Sequence, residues 1–271
     1  MTPGIWHNWC CCPTAQIYGA GETYSAANVW MFDVTGAVGW QFYTGASHAY
    51  GVAIDADGNA YVAGLAIDGK TVWKLNSSGA EQWTFSTGGS ITSGVAVDGG
   101  GNVYVTGAPN AFGKSVWKLN SSGAEQWTFG TGGGTLATIG VAVDGSGNVY
   151  VAGNAVAGKN VWKLNSSGAE QWTFSTGGSI TYGAAVDADG NVYVAGLWVD
   201  GKGVWKLNSS GAEQWTFSTG KAHNYGVAVG VYGHAYVSTG SVLTPSGAVL
   251  RTFGGSRTLR GIAVDGGTTV L

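Results

Sequence analysis

Charged residues, proline and histidine are scarce in this chain. Asp, Glu, Lys and Arg together make up 10% of its 271 residues, and there are only 4 Pro and 4 His. The net charge is −3, whereas a nucleic-acid or anionic-membrane surface needs a basic stripe. No apolar run approaches the roughly 20 residues that cross a bilayer. We therefore expect neither a nucleic acid nor a membrane as a partner.

Cysteine is confined to one consecutive run, Cys10, Cys11 and Cys12. Adjacent cysteines pair with each other only under strain, and the run lacks the Cys-x₂-Cys spacing that zinc sites favour. The same N-terminal stretch has no basic region followed by an apolar segment, so we expect no secretory signal and assembly in the cytoplasm. The sequence predicts no metal and no cofactor.

Glycine and the aromatic residues are abundant, with 49 Gly, 13 Trp and 12 Tyr. The chain contains four unchanged copies of the string VWKLNSSGAEQWTF, at 72–85, 116–129, 161–174 and 204–217. A repeat of this period is typical of units that bury their apolar faces by stacking on one another. Because Trp fills such interfaces well, we interpret the unchanged string as packing between units rather than as a ligand site.

Each repeat holds four short β-branched or aromatic segments joined by Gly-containing turns, which predicts a four-stranded antiparallel meander. First strands begin at Gly51, Gly94, Gly140, Gly183, Gly226 and Gly261, and the other strand types also occur six times. The chain opens on a second strand and ends on a first strand. We therefore expect an all-β, six-bladed β-propeller over residues 16–271, closed by the C-terminal first strand joining the N-terminal strands (3+1). A parallel β-helix is the alternative, but it would form no local hairpins.

The repeat resembles a known family. The stretch Gly94-Val-Ala-Val-Asp-Gly-Gly-Gly-Asn-Val-Tyr-Val-Thr-Gly107, followed by Trp117-Lys-Leu and Gly123-Ala-Glu-Gln-Trp127, is similar to the bacterial β-propeller repeat called SBBP. The likeness runs from about residue 16 to the end and is most specific in the four middle units. It implies a propeller and implies no activity, since propellers host unrelated functions.

Motifs typical of enzymes are weak in this sequence. Asp55-Ala-Asp57-Gly58-Asn59 imitates the start of a calcium loop, but its twelfth position is Ala66 instead of a bidentate Glu, so we interpret it as a hairpin turn. Sialidases use six blades and three arginines from separate blades, whereas Arg251, Arg257 and Arg260 lie close together. No nucleophile, base or metal-ligand set repeats at a suitable spacing. We expect that the protein is not an enzyme.

Candidate binding residues stand where the repeat changes, in the loops that lead into three first strands. These residues are His48 and Tyr50 before Gly51, His223, Asn224 and Tyr225 before Gly226, and Arg257 and Arg260 before Gly261. If the chain ends meet in one blade, these loops are neighbours on one face. Flat rings and planar donors then suit a polar or carbohydrate ligand. Within the repeat, a two-residue turn at Ser77-Ser78 would place Lys74 opposite Glu81 as an ion pair.

The N-terminal tail, residues 1–15, is predicted to be a docking or plug segment that uses Trp6, Trp9, Cys10, Cys11 and Cys12. We expect a non-catalytic binding or structural module with a glycan or protein partner. Low charge and a Gly- and aromatic-rich surface fit a displayed virion component, such as a phage decoration or tail protein, that assembles with other virion or scaffold proteins. The alternatives are a hydrolase or lyase acting on polysaccharide and a cytoplasmic protein-interaction scaffold.

Overall fold

The computed structural model describes residues 6–11, 16–22, 27–33, 35–132, 138–230, 232–252, 264–265 and 268–269. Within these residues the regular structure is β-strand and no helix occurs. The described part of the chain accordingly holds no helix long and apolar enough to cross a membrane. The chain divides into two compact units, Met1–Thr138 (unit 1) and Ile139–Leu271 (unit 2).

Unit 1 contains three antiparallel four-stranded sheets. Their strands are β1 (Trp6–Cys11), β2 (Ile17–Gly21), β3 (Val29–Phe32) and β4 (Val38–Phe42); β5 (Ala49–Ile54), β6 (Ala60–Ile67), β7 (Lys70–Leu75) and β8 (Glu81–Phe85); and β9 (Thr92–Val97), β10 (Val103–Gly107), β11 (Val116–Leu119) and β12 (Glu125–Phe129). In each sheet the strands are neighbours in chain order, as a meander requires.

Unit 2 contains three further four-stranded sheets and a short hairpin. Their strands are β13 (Thr138–Val143), whose first residue belongs to unit 1, β14 (Val149–Val156), β15 (Lys159–Leu164) and β16 (Glu170–Phe174); β17 (Thr181–Val186), β18 (Val192–Val199), β19 (Lys202–Leu207) and β20 (Glu213–Phe217); β21 (Val227–Val229), β22 (Ala235–Val237), β23 (Ser241–Leu243) and β24 (Val249–Thr252); and the hairpin β25 (Val264–Asp265) and β26 (Thr268–Thr269). The predicted six blades of four antiparallel strands are confirmed, and the fold is a six-bladed β-propeller.

The first sheet differs from the expected 3+1 arrangement. Its strand beside β2 is β1, from the N-terminal segment, with Cys10 opposite Tyr18. The predicted closing strand begins at Gly261, outside the described residues, and its described part, Val264–Asp265, pairs with Thr268–Thr269 instead of with β2. Pairing β1 with β2 closes only a short loop, whereas a C-terminal strand must return across the whole chain and loses more loop entropy. Residues 6–11 are therefore a strand of the first blade.

The core of each blade lies on its two middle strands. In the second blade Tyr61, Val62, Val72 and Leu75 are fully buried and Trp73 is nearly so. Strands covered on both faces read as continuous apolar runs rather than as strict alternations, which is why β6 carries no charged residue. The corresponding Trp and Tyr residues are equally buried in the three other blades that contain the unchanged string, and they are among the largest buried side chains.

The fourth-strand tryptophans hold neighbouring blades together. In unit 1, Trp83 donates from Nε1 to the carbonyl of Ser121, 3.1 Å away, in the Asn-Ser-Ser-Gly turn of the next blade. Its ring lies so close to Gly123 of that turn that an added Cβ would be 2.8 Å from Cδ2 of the indole. In unit 2, Trp172 makes the same bond to Ser209, also at 3.1 Å. The unchanged string therefore carries both halves of one blade-to-blade joint.

The expected pair of Lys74 with Glu81 is wrong. The turn is longer than two residues, with Gly79 in the left-handed region at φ 83°, and the register shift after it places Leu75 opposite Glu81. The Lys74 ammonium instead lies 5.1 Å from the centroid of the Tyr61 ring, a cation–π contact. Glu81 forms its ion pair with Lys70, at 3.5 Å. Lys70, the first residue of the same strand, is therefore the partner of Glu81 in place of Lys74.

Candidate functional site

In the hairpin turns that resemble calcium loops, the first Asp accepts hydrogen bonds from its own turn and from the strand that follows. In the second blade, Asp55 Oδ1 accepts the backbone N–H groups of Asp57 (3.0 Å) and Asn59 (2.9 Å), and Oδ2 accepts the hydroxyl of Tyr61 (2.9 Å). Partial burial acts to raise the pKa of Asp55, but the hydrogen bonds from Asn59, Tyr61 and Asp57 outweigh it and hold the pKa below the ordinary value. The interpretation of this motif as a hairpin turn is confirmed.

A cluster of three rings forms where strands β17 and β21 begin. It consists of Tyr182, His223 and Tyr225 and is called here the unit 2 ring cluster. The His223 and Tyr225 rings stack with their centroids 5.5 Å apart and their planes 5° from parallel. The Tyr182 ring leans on Tyr225 at 5.1 Å, and a hydrogen bond of 3.0 Å joins its hydroxyl to His223 Nδ1. His223 is exposed, and the two tyrosines are half-buried.

The preceding blade holds the loop that carries His223 through a β-bridge and hydrogen bonds. Leu197 forms an isolated antiparallel bridge with His223, and Trp198 N–H donates to the carbonyl of Ala222 at 3.0 Å. Asn224 is fully buried, and its side-chain amide donates to the Gly196 carbonyl at 3.0 Å. A buried amide with its hydrogen bonds formed inside the protein positions the loop. The structure therefore gives Asn224, one of the predicted ligand contacts, a place in the framework beneath the rings.

Tyr182 was not among the residues singled out from the sequence, although a signal was present. It stands directly before Gly183, at the same position of the repeat as Tyr50 before Gly51 and Tyr225 before Gly226. Because neighbouring blades stack, the tyrosines at this position in successive repeats come into contact. The sequence of one repeat does not show that contact. Partial burial raises the pKa of Tyr182, and the nearby Tyr225 adds to the effect. The hydroxyl is therefore protonated at neutral pH and can both donate and accept a hydrogen bond.

A related cluster occupies the start of β5 in unit 1. His48 and Tyr50 stack with centroids 5.5 Å apart and planes 26° from parallel. His48 Nε2 lies 3.5 Å from a carboxylate oxygen of Glu22, and Nδ1 lies 2.7 Å from the hydroxyl of Ser47. Burial raises the pKa of Tyr50, and the charge of Glu22 raises it further. Glu22, His48 and Tyr50 are called here the unit 1 ring cluster.

The predicted binding residues thus separate into two described groups. His48 lies against Tyr50 in unit 1, and His223 lies against Tyr225 in unit 2. Arg257 and Arg260 lie outside the described residues. The predicted docking residues Trp6, Trp9, Cys10 and Cys11 are part of strand β1, and Cys12 lies outside the described residues. Across the residues that the structure describes, no group of three His, Cys, Asp or Glu side chains is placed to hold a metal ion.

The comparisons with known proteins concern the fold. No protein-family model matches the sequence. No curated protein matches it either. Among solved structures, the chain is similar to the WD40 repeats of RRP9, with a TM-score of 0.82 and 13% identity over 98% of this chain and 86% of that one. The structure of U3-55K gives a TM-score of 0.80 and 13% identity over 98% and 86%. A protein of unknown function from Bacteroides caccae gives 0.64 and 14% over 88% and 93%.

Proposed function

We propose that this protein is a non-catalytic binding module and that the unit 2 ring cluster binds a saccharide. The proposal rests on one observation: Tyr182, His223 and Tyr225 form a partly exposed set of rings in mutual contact, and His223 and Tyr225 lie on a loop that the unchanged blade framework does not require. Binding residues concentrate on loops that a rigid scaffold positions. A propeller is such a scaffold when its turns are hydrogen-bonded internally and its tryptophans bond to the turns of neighbouring blades.

The chemistry of the ring cluster suits a sugar better than an apolar ligand. A pyranose presents C–H groups on its faces and hydroxyls at its rim, so it needs a flat ring surface next to polar groups of fixed direction. The parallel rings of His223 and Tyr225 supply the surface. The hydroxyl of Tyr182, held by His223 Nδ1, supplies a polar group beside it. The buried amide of Asn224 fixes the loop before the ligand arrives, which lowers the entropy lost on binding.

Several carboxylates of the described residues have structural partners, which supports binding without turnover. A hydrolase or lyase acting on polysaccharide needs a pair of carboxyl groups available to the scissile bond. Asp55 and its counterparts Asp98 and Asp144 accept backbone N–H and Tyr hydroxyl groups within their own turns. Glu81 and Glu170 form ion pairs with lysines at 3.5 and 3.8 Å. These acids have structural partners, and the ring cluster contains no carboxylate of its own.

A glycan array with three proteins tests the proposal. The double variant His223→Ile with Tyr225→Ser uses residues that stand in the same columns of a sister blade, Ile91 and Ser93, so the fold should tolerate it. Phe112→Gly serves as the control, because Phe112 is 86% exposed on another loop. We expect the wild type and the control to bind the same sugars and the double variant to lose at least tenfold in affinity. Equal binding by all three contradicts the proposal, and release of reducing sugar would establish the enzyme alternative.

A protein partner is the second candidate, favoured by two exposed aromatic side chains, one in the loop between β10 and β11 and one near the end of β18. Phe112 in unit 1 is 86% exposed and Trp198 in unit 2 is 50% exposed. Large aromatic residues are frequent anchors of protein interfaces, where their burial supplies much of the binding energy. Trp198→Ala should weaken capture of such a partner without changing sugar binding. The opposite pattern would assign Trp198 to the saccharide site.

We further propose that the module assembles in the cytoplasm and is displayed on a virion surface as a decoration or tail component. What supports this proposal is the low charge and the Gly- and aromatic-rich composition of the chain. Peptide mass spectrometry of purified particles and of the cell lysate is the direct test. The proposal fails if the chain is found only in the particle-free fraction.

A further inference from the structure

The outer strand of the sixth blade differs in sequence from the outer strands of its sister blades. Strand β20 begins with Glu213-Gln214, and β8, β12 and β16 begin with the same pair, whereas β24 begins with Val249-Leu250. The register with the third strand, including its irregularity, is the same in the fifth and sixth blades. The side chains of Val249 and Leu250 are 51% and 54% exposed. Packing within the blade therefore does not account for the change from a polar to an aliphatic pair.

In the sister blades the polar pair protects an open sheet edge. Each fourth strand has the third strand on one side and no described strand on the other. In β16, Gln171 Nε2 donates to the carbonyls of Ala169 at 3.2 Å and Glu170 at 3.4 Å. A charged side chain and occupied backbone groups both discourage another strand from pairing at an edge. Val249 and Leu250 supply neither a charge nor a side-chain donor, so β24 lacks this protection.

The turn between β21 and β22 changes in the same direction. Tyr232 is 76% exposed in this turn, at the position that Asp189 occupies in the fifth blade. A Cβ added at Gly233 would lie 3.3 Å from Cγ of Pro245, so this turn contacts the turn that leads into β24. Tyr232, Val249 and Leu250 therefore lie at one end of the sixth blade and are called here the blade 6 patch. The unit 2 ring cluster lies at the opposite end of β21.

We propose that the blade 6 patch binds an extended segment of a partner protein, which pairs with β24 as an additional strand. In such a complex the free N–H and C=O groups of the edge strand supply affinity, and neighbouring side chains supply specificity. The exposed side chains of the patch are aliphatic and aromatic, so the segment that fits them is uncharged and rich in β-branched and aliphatic residues. The inference goes beyond the saccharide site and shares no residue with it.

The size of the patch indicates a peptide segment rather than a second folded copy of this chain. A buried aromatic side chain covers about 150–250 Å², so the exposed parts of the three side chains together offer on the order of 300 Å². A stable interface between folded proteins buries about 800 Å² on each partner. Strand β24 has 4 residues, a length of about 13 Å, which matches an extended segment of similar length.

Fluorescence titration with a synthetic peptide tests this inference. The probe is a labelled, acetylated and amidated peptide, Lys-Thr-Val-Ile-Val-Thr-Lys. A second form is N-methylated on the Val-Ile-Val core, which removes the backbone donors and keeps the apolar side chains. The edge variant, Val249→Glu with Leu250→Gln, restores the residues of the sister blades, so the fold should tolerate it. The converse variant, Glu213→Val with Gln214→Leu, removes the protection from β20. Urea midpoints show whether both variants are folded.

We expect the wild type to bind one equivalent of the probe and to bind the N-methylated form at least tenfold more weakly. The edge variant should lose at least tenfold in affinity for the probe. The converse variant should bind a second equivalent, more weakly than the first, because Asp189 stands there in place of Tyr232.

Four results overturn the inference. They are no binding by the wild type, equal binding of the two peptide forms, unchanged affinity in the edge variant, and a converse variant that still binds one equivalent. Dimerisation of the wild type that the edge variant abolishes would assign the edge to a second copy of the chain, and it would overturn the inference as well.

Discussion

The joint between blades makes a sharp prediction for one glycine of the unchanged string, Gly211. Its backbone has φ +85°, and a Cβ added there would lie 2.7 Å from Cδ2 of Trp172 in the preceding blade. The same indole donates to the Ser209 carbonyl at 3.1 Å. Gly201 lies in the same unit with nearly the same conformation, φ +83°, and an added Cβ there meets nothing within 4 Å. Gly211→Ala and Gly201→Ala therefore differ mainly in the contact with Trp172.

The two substitutions share the cost of placing alanine in the left-handed region, about 1–2 kcal/mol. At Gly211 the ring of Trp172 must also move, because 2.7 Å is too short for a carbon–carbon contact. Forced repacking costs about 1–3 kcal/mol, and loss of the indole hydrogen bond adds about 0.5–1.5 kcal/mol. We therefore expect the free energy of unfolding to fall about 1.5–4.5 kcal/mol further in Gly211→Ala than in Gly201→Ala.

Urea unfolding of the wild type and the two variants measures this difference. Tryptophan fluorescence follows the joints between blades, and circular dichroism follows the strands. Coincident transitions with equal slopes allow the midpoints to be compared as free energies. Equal destabilisation of the two variants, within about 0.5 kcal/mol, would refute the reasoning that the indole and the glycine form the joint.

Three further predictions follow from the described contacts. The pKa of Asp55 is lowered in the folded state, so its ionised carboxylate stabilises the fold at pH values above the unfolded pKa of about 3.9. This stabilisation is lost as the pH falls through the folded pKa. The urea midpoint should therefore fall in acid, and it should fall less in Asp55→Asn. Glu81→Gln should cost under about 1 kcal/mol and reduce the salt dependence of unfolding, because its pair with Lys70 is exposed; a cost above 2 kcal/mol would contradict this. Tyr182→Phe should weaken saccharide binding without lowering the free energy of unfolding by more than about 1.5 kcal/mol, since it removes one hydroxyl, and unchanged affinity would exclude the hydroxyl from the site.

The repeat made most of the fold predictable. Strand starts such as Gly51 and turn residues such as Gly58 recur in register, and local hairpins need only short-range information. The first blade was the exception, because which segment pairs with β2 depends on competition between distant parts of the chain. The Lys74 register also failed, because the longer turn containing Gly79 and the irregularity between Lys74 and Leu75 place Trp83 opposite Lys74. Both errors arise where the spacing of the pattern alone does not specify the partner.

The candidate site was predictable only in part. His48, Tyr50, His223 and Tyr225 stand out because they depart from their sister blades. Glu22 and Tyr182 complete the two clusters from neighbouring blades, and neither lies close in sequence to its histidine. Deviation from the repeat thus locates the histidine and tyrosine of each ring cluster, while the stacking of blades decides which further residues belong to it.

The sequence alone determined the all-β class, the six blades, their strands and the structural role of the unchanged string, because these depend on periodicity and turn chemistry within about 45 residues. Only the tertiary structure decided that β1 completes the first blade, that Trp83 and Trp172 are each hydrogen-bonded to the turn of the next blade, and that Asn224 is buried beneath the rings. It also decided that Glu22 and Tyr182 face the histidines. These features join residues of different blades, and a local pattern contains no information about which of its neighbours will lie beside it in space.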